Sequence, residues 1–99
     1  MAGGYVGILA IELHFPEAGS LKGKRRHVQS AKAQLRERFG AAVAEVGHHE
    51  LWQRARLALA VVAREHRALE ELLDGAERWL HAQEYVVVSI EREIVALEP

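Results

Sequence analysis

The sequence predicts an α+β domain that combines a four-stranded sheet with two helices. Two segments bear apolar residues at helical spacings of three and four, and four other segments are β-branched or alternate between apolar and polar residues. Along the chain they follow in the order strand, helix, strand, strand, helix, strand. With 99 residues, we expect a single domain over residues 1–99.

The first half of the chain predicts a strand, a turn and a helix. Residues 5–15 (YVGILAIELHF) are apolar and β-branched, as in a strand, and the turn PEAGS follows. Ser20 is a suitable N-cap for a helix that ends at Gly40. The apolar side of this helix consists of Leu21, Val28, Ala31, Leu35 and Phe39.

The second half predicts two strands, a helix and a last strand. Residues 41–46 and 54–64 read as strands joined by the connection GHHELWQ. From Leu69 onward, apolar residues recur at i+3, i+4, i+7, i+10 and i+11, which predicts a helix. Residues 84–97 predict the fourth strand. Two right-handed crossovers joined by a hairpin give a ferredoxin-like βαββαβ plait, a four-stranded antiparallel sheet with both helices on one face.

Composition excludes several classes of protein. Without cysteine, the chain has neither disulfides nor a thiolate metal site, as is typical of proteins in a reducing cytoplasm. The apolar run of residues 5–11 is too short to span a bilayer and meets Glu12 at once. We therefore expect a soluble cytoplasmic protein that does not enter the membrane.

Positive charge is concentrated in the first helix. Residues 20–39 hold seven Lys or Arg and one acid, Glu37, whereas the rest of the chain holds six Lys or Arg and 13 acids. Such a split is typical of a protein with a charged partner, and a solvated helix face is the alternative explanation.

Five of these cations form a row along the helix. At about 100° per residue they fall within roughly a third of the circumference and extend over ~21 Å. A solvated face ordinarily mixes acids and bases, but this one has almost no acid to pair with, and a polyanion is its complement. We call Lys22, Arg25, Arg26, Lys32 and Arg36 the basic stripe; together with Lys24 they are the predicted nucleic-acid or anion-binding residues.

The open face of the predicted sheet does not favour base stacking. Domains of this topology that read RNA sequence stack bases on aromatic side chains of the central strands. The candidates here are Ala10, Glu12, His14, Arg54, Arg56, Ala58 and Ala60, none of which is Phe, Tyr or Trp. If RNA binds, we expect the basic stripe to contact phosphates of a structured helix with little sequence preference.

Two histidines in the hairpin connection are candidates for a metal site. His48 and His49 are adjacent, and consecutive side chains tend to point apart. No fixed-spacing pair supplies a second anchor. We expect them to be surface residues, and we expect no cofactor.

A second polar group lies on the first and third strands. Glu12 and His14 share a strand face, and the hairpin brings Arg54, Arg56 and Ser89 near them. This set is either the beginning of an acid/base site or a group of cross-strand ion pairs. Ion pairs explain it more simply, so we expect no enzymatic activity.

The two tryptophans have different expected roles. Trp79 lies on the apolar side of its helix and is expected in the core. Trp52 precedes a strand and either covers the end of the core as a lid or is exposed as a stacking surface. We expect the lid.

An apolar patch on the open face predicts a second kind of surface. The face carries Val6, Ile8 and Val62, with Val87 as a further candidate. A monomer seldom exposes such a contiguous patch, so homo-oligomerisation through this face or a sheet edge is the alternative function.

Two motifs resemble the YlxP-like bacterial family, whose members have a domain of unknown function. They are SLKGKRRHV at the start of the first helix and ELWQR before the third strand, and the resemblance covers nearly the whole chain. It implies a ferredoxin-like fold, no established enzymatic activity, and genes often beside those of a translation initiation factor and a ribosome-maturation factor. We therefore expect a non-enzymatic RNA-binding or ribosome-associated protein.

One position departs from the family pattern. Many members have Glu where this chain has Gly23, and that Glu would form a capping box with Ser20. Without the acid, the first helical turn has a weaker cap and a more positive potential.

Overall fold

The computed structural model describes residues 2–99 and confirms the predicted ferredoxin-like α+β plait. The strands form one antiparallel sheet in the order β2-β3-β1-β4, so β1 and β3 are central. Every predicted strand boundary lies within two residues of the observed one. The elements are β1 (Tyr5–His14), α1 (Leu21–Phe39), β2 (Ala42–Gly47), β3 (Arg54–Ala63), α2 (His66–His81) and β4 (Val86–Ala96).

The core lies between the two helices and one face of the sheet. On β1, every second residue from Gly7 to Leu13 is buried, because successive side chains of a strand point to opposite faces. Leu35 of α1 and Leu69 of α2 are also fully buried in this cluster. Both helices therefore cover the same face of the sheet and leave the other face open.

The first helix begins and ends where the sequence predicts. The hydroxyl oxygen of Ser20 accepts a hydrogen bond from the Gly23 N–H at 3.0 Å. At the other end, Gly40 adopts a left-handed conformation with φ 63°, and its N–H donates to the carbonyl oxygen of Arg36 at 3.0 Å. Glycine takes this conformation without a steric penalty.

A glycine in the central strand lets the second helix approach closely. A Cβ added at Gly7 would lie 2.7 Å from Cδ1 of Leu73, which is fully buried. This contact is too short for two carbon atoms, so a larger residue at this position would force the Leu73 side chain to move in a closely packed core.

A bulge in β4 changes which valines face the helices. The register between β1 and β4 shifts between Glu12 and Leu13, so that Leu13 pairs with Val87. Val87 consequently packs against the core, and its predicted place on the open face is wrong. Val95 pairs with Val6 and joins the open face instead.

Candidate functional site

The start of α1 brings several predicted anion-binding residues together. Lys22, Arg25 and Arg26 are exposed, and with Gln29 they line a shallow concavity of about 550 Å³. Their spacing of three and four residues places them on one side of the helix. The first half of the basic stripe is therefore a continuous cationic surface.

The stripe continues toward the edge of the sheet. Arg36 is exposed, and its Nη2 donates a hydrogen bond to the carbonyl oxygen of Val43 on the edge strand β2 at 3.2 Å. Lys32 is half-buried between these two parts. The hydrogen bond satisfies a backbone acceptor without neutralising the Arg36 guanidinium.

The basic stripe lacks acidic partners within residues 2–99. None of its five cations forms an ion pair there, whereas the exposed face of α2 carries Arg67–Glu71 at 3.6 Å and His66–Glu70 at 2.6 Å. Like charges on one helix face repel, and such repulsion is relieved when an anion binds. The field of the stripe is thus directed to solvent.

Lys24 does not belong to this surface, and its predicted role in anion binding is wrong. Its side chain is 0% exposed, and its Nζ donates to the carbonyl oxygens of His48 at 2.8 Å, His49 at 3.3 Å and Arg54 at 3.2 Å. The sequence contained a signal for this burial. Lys24 stands four, seven and eleven residues before Val28, Ala31 and Leu35, all on the apolar side of α1.

An acid from β2 completes the surroundings of Lys24. Oε2 of Glu45 lies 3.1 Å from Nζ, and this oxygen is buried without a well-oriented hydrogen bond. The contact is therefore chiefly electrostatic, in a region where little water screens it. Lys24 joins α1 to the loop of residues 48–53, which we call the β2–β3 loop.

The β2–β3 loop exposes two large apolar side chains. Trp52 is 54% exposed and Leu51 is 49% exposed, so the prediction that Trp52 covers the end of the core is wrong. The carbonyl oxygens of His48 and His49, at the start of this loop, accept hydrogen bonds from the buried Lys24. Trp79, in contrast, is half-buried and packs against the core, as its helical position predicts.

Glu12 is the centre of a small cross-strand cluster on the open face. Its Oε1 accepts a hydrogen bond from Nη1 of Arg56 at 2.8 Å, and its Oε2 lies 3.1 Å from Nε2 of His48. The hydrogen bond from Arg56 lowers the pKa of Glu12 below its ordinary value of 4.5; burial opposes this effect, and the charge of His48 adds to it. Ser89 lies opposite Glu12 on β4.

Other predicted polar residues are not drawn into this cluster. His14 lies opposite Arg54 in the sheet without a hydrogen bond or an ion pair between them in the described part of the chain. His49 contacts the carbonyl oxygen of Glu45 at 3.2 Å, away from Glu12. Among residues 2–99, no three His, Asp or Glu side chains form a group that could hold a metal ion.

An aromatic cluster just before the start of β4 was not predicted. The ring of Phe15 stacks on His27 at 5.5 Å and meets Tyr85 edge-on at 5.1 Å. The hydroxyl oxygen of Tyr85 is buried without a hydrogen-bond partner in residues 2–99, and burial raises the pKa of this group to about 12. These residues are far apart in sequence, so no local pattern indicated their contact.

The open face carries an apolar row across three strands. Val6 pairs with Val62 on β3 and with Val95 on β4, and Val62 is 68% exposed. Small residues continue this face toward β2, where Ala42 pairs with Ala60. Separately, no helix in residues 2–99 has the length and hydropathy needed to cross a bilayer.

Comparisons with known proteins agree with the predicted family. The uncharacterized protein YlxP of Bacillus subtilis (strain 168) is 29% identical over 58 residues, which cover 59% of this chain and 63% of the relative. The match thus spans less than two thirds of the relative's length. The de novo designed protein Ferredog-Diesel is similar in structure with a TM-score of 0.45 and 13% identity, over 94% of this chain and 87% of that one. The family model of DUF503, a protein of unknown function, matches residues 6–92, and the chain therefore belongs to this family.

Proposed function

We propose that the protein is a non-enzymatic RNA-binding or ribosome-associated factor whose first helix contacts phosphates. The observation that carries this proposal is the basic stripe, a row of five cations without an acidic partner in residues 2–99. Nucleic acid is the common cellular partner that presents a matching row of negative charges. The proposal requires no cofactor.

The shape of the stripe favours contact with the RNA backbone. It extends over about 21 Å of helix, a length along which a duplex presents roughly a dozen phosphate charges. Such contacts position a protein on RNA without reading its sequence. Lys24 takes no part, since its ammonium is buried under the β2–β3 loop.

The open sheet face does not support base stacking. The side chains of β1 and β3 that face away from the helices include no Phe, Tyr or Trp. The aromatic platform of RNA-reading plaits is thus missing from these strands. The first helix is the better candidate for the RNA-contacting surface.

Charge reversal with a matched control tests the proposal. We expect Arg25→Glu, Arg26→Glu and Arg36→Glu together to abolish binding of a structured RNA, measured by fluorescence anisotropy at low salt. The control reverses three exposed arginines elsewhere, Arg64, Arg67 and Arg78, with the same change in net charge.

Salt dependence supplies a second criterion. Wild-type affinity should fall by about 0.7 to 0.9 log units per log unit of salt for each phosphate contact, and the control should keep this slope. Equal weakening in both variants would show a nonspecific charge effect. Unchanged binding by the stripe variant, or no binding of structured RNA or ribosomes by the wild type, would reject the proposal.

A second candidate function is self-association through the open face. The row Val6, Val62 and Val95 leaves apolar side chains in water, which a second copy of the chain would cover. We expect Val62→Asp to lower the mass measured by light scattering, and Ala68→Asp, at an exposed position of α2 on the other side of the sheet, to leave it unchanged. A monomeric wild type at micromolar concentration would exclude this candidate, and association of this kind should not weaken with salt.

A further inference from the structure

The β2–β3 loop presents an aromatic ring that the fold does not use. Trp52 is more than half exposed, and residues 50–54 line a shallow concavity of about 370 Å³ around it. Burying a tryptophan ring is worth more than burying most other side chains, so its exposure leaves a large apolar surface available to a partner. Leu51, also exposed, borders the same concavity.

The backbone on both sides of Trp52 is fixed. The N–H of Leu51 donates to the carbonyl oxygen of His48 at 3.0 Å, and the carbonyl oxygen of Gln53 accepts from the N–H of Phe15 at 2.8 Å. Lys24 binds the carbonyl oxygens of His48 and Arg54 from the core side. A ring on so constrained a loop loses little conformational entropy when it binds a partner.

The loop lies beside the cationic start of α1. Lys24 donates a hydrogen bond to the carbonyl oxygen of Arg54, and Arg25 is the next residue of the helix. The length of a lysine side chain and one step between Cα atoms place the Cα of Arg25 within roughly 13 Å of that oxygen. Arg54 itself lines the concavity around Trp52. Trp52 therefore lies on a loop that contacts the first turns of α1.

We infer that Trp52 is a stacking platform for an unpaired RNA base, next to the phosphates that bind the basic stripe. The inference rests on the proposed function and makes it more specific. Surfaces that bind single-stranded nucleic acid combine aromatic rings with cations in this way, since every base has a face that stacks. Glu50 lowers the positive charge beside Trp52, so this part of the surface suits the base rather than the backbone.

Matched variants of the loop separate stacking from other apolar contacts. The probes are a 12-nucleotide single-stranded RNA and a blunt RNA duplex of the same length, each with a fluorescent label for anisotropy. We expect Trp52→Ala to weaken single-strand binding about 5- to 150-fold and leave duplex binding unchanged. Trp52→Phe should retain part of the affinity, and Leu51→Ala, which removes an exposed apolar side chain but no ring, should retain nearly all of it.

The possible outcomes distinguish this inference from the proposed function. If the stripe variant loses RNA while Trp52→Ala binds the single strand as well as the wild type, the stacking role is wrong and the phosphate-binding role stands. If Leu51→Ala weakens single-strand binding as much as Trp52→Ala does, the contact with RNA is generally apolar and the stacking role is wrong. A changed oligomeric mass in Trp52→Ala would also overturn it, because the loop would then be a contact between copies of the chain. If the wild type binds neither RNA, both proposals fail.

Discussion

The Nζ of Lys24 lies 3.1 Å from Oε2 of Glu45, and the lysine side chain is fully enclosed by protein. The same ammonium binds the carbonyl oxygen of Arg54, the last residue of the ELWQR motif. The two motifs that carry the family resemblance thus meet at this one group. Although the two motifs are far apart in the sequence, they come together where the first helix packs against the β2–β3 loop.

Removing the Lys24 ammonium should destabilise the fold. Lys24→Met leaves the Glu45 carboxylate and three carbonyl oxygens without their shared partner, and the loss of one member of a buried pair costs about 3–5 kcal/mol. Urea unfolding followed by circular dichroism measures this change. Lys22→Met, on the exposed side of the same turn, should change the free energy of unfolding by less than about 0.5 kcal/mol.

A stable Lys24→Met protein with weakened RNA binding would contradict this assignment and return Lys24 to the anion-binding surface. The double variant Lys24→Met/Glu45→Gln should recover part of the loss, because it leaves no unpaired carboxylate in the same place.

Substitution of Gly23 should separate helix stability from RNA affinity. A Cβ at this position would lie 3.4 Å from Oγ of Ser20, an ordinary contact, so alanine fits. Gly23→Ala should stabilise the protein by up to about 1 kcal/mol and leave RNA binding unchanged. Gly23→Glu should stabilise it at least as much by completing a capping box with Ser20, and should weaken RNA binding through its negative charge.

Thermal unfolding and anisotropy on the two variants test this prediction. If alanine weakens RNA binding as much as glutamate, the flexibility of the turn matters rather than its charge. A destabilised Gly23→Glu protein would show that the acid cannot reach the Ser20 N–H.

The Glu12 ion pairs should contribute stability that depends on pH. The folded-state pKa of Glu12 lies below that of the unfolded chain, mainly because Arg56 donates a hydrogen bond to the ionised carboxylate. The contribution is therefore complete above about pH 5 and is lost as the pH falls through the folded-state pKa. We expect the wild type to be more stable than Glu12→Gln at pH 5.5 and the difference to shrink toward pH 3.

Urea unfolding at several pH values measures this difference. Glu17→Gln is the control, since Glu17 is exposed and forms no ion pair within residues 2–99. A difference for Glu12→Gln that does not vary with pH would mean that the carboxylate contributes through its shape rather than its charge.

Removal of the Tyr85 hydroxyl should leave the protein as stable or make it more stable. This oxygen is buried without a hydrogen-bond partner in the described residues, so Tyr85→Phe should gain up to about 1 kcal/mol at pH 7. The unfolded chain releases the phenolic proton near pH 10.0, whereas burial raises the folded-state pKa to about 12. Wild-type stability should therefore fall between these values, as the folded state holds a proton that the unfolded state has lost.

The Tyr85→Phe protein should lack this loss of stability at alkaline pH. Thermal unfolding of the wild type and of Tyr85→Phe from pH 8 to 11 measures the difference. Parallel declines above pH 10 would contradict the raised pKa. A clear loss of stability in Tyr85→Phe at pH 7 would show that the hydroxyl has a partner.

Local patterns were sufficient to predict the order of the elements and the ends of the first helix. Alternation on β1 and helical spacing from Leu69 depend only on neighbouring residues, and Ser20 and Gly40 act on the backbone next to them. The exposed cations of the stripe were predictable for the same reason. A regular helix fixes which side chains share a face before any tertiary contact forms.

The face of the sheet on which Val87 lies could not be predicted from local sequence patterns. A single extra residue in a strand reverses the direction of the side chains beyond it, and the bulge opposite Glu12 and Leu13 arises from pairing between β1 and β4. The prediction for Trp52 was wrong for a related reason. The path of its loop depends on tertiary contacts, among them the hydrogen bonds from Lys24 to the carbonyl oxygens of His48 and His49.

The sequence by itself determined the family, the βαββαβ order and the cationic side of the first helix. Only the tertiary structure decided that Lys24 is a structural anchor, that Trp52 faces solvent and that His48 reaches Glu12. These contacts join residues 21 to 36 positions apart in the chain, such as Lys24 with Glu45 and His48 with Glu12. Their geometry follows from the packing of the hairpin and the helix in three dimensions, which no local periodicity encodes.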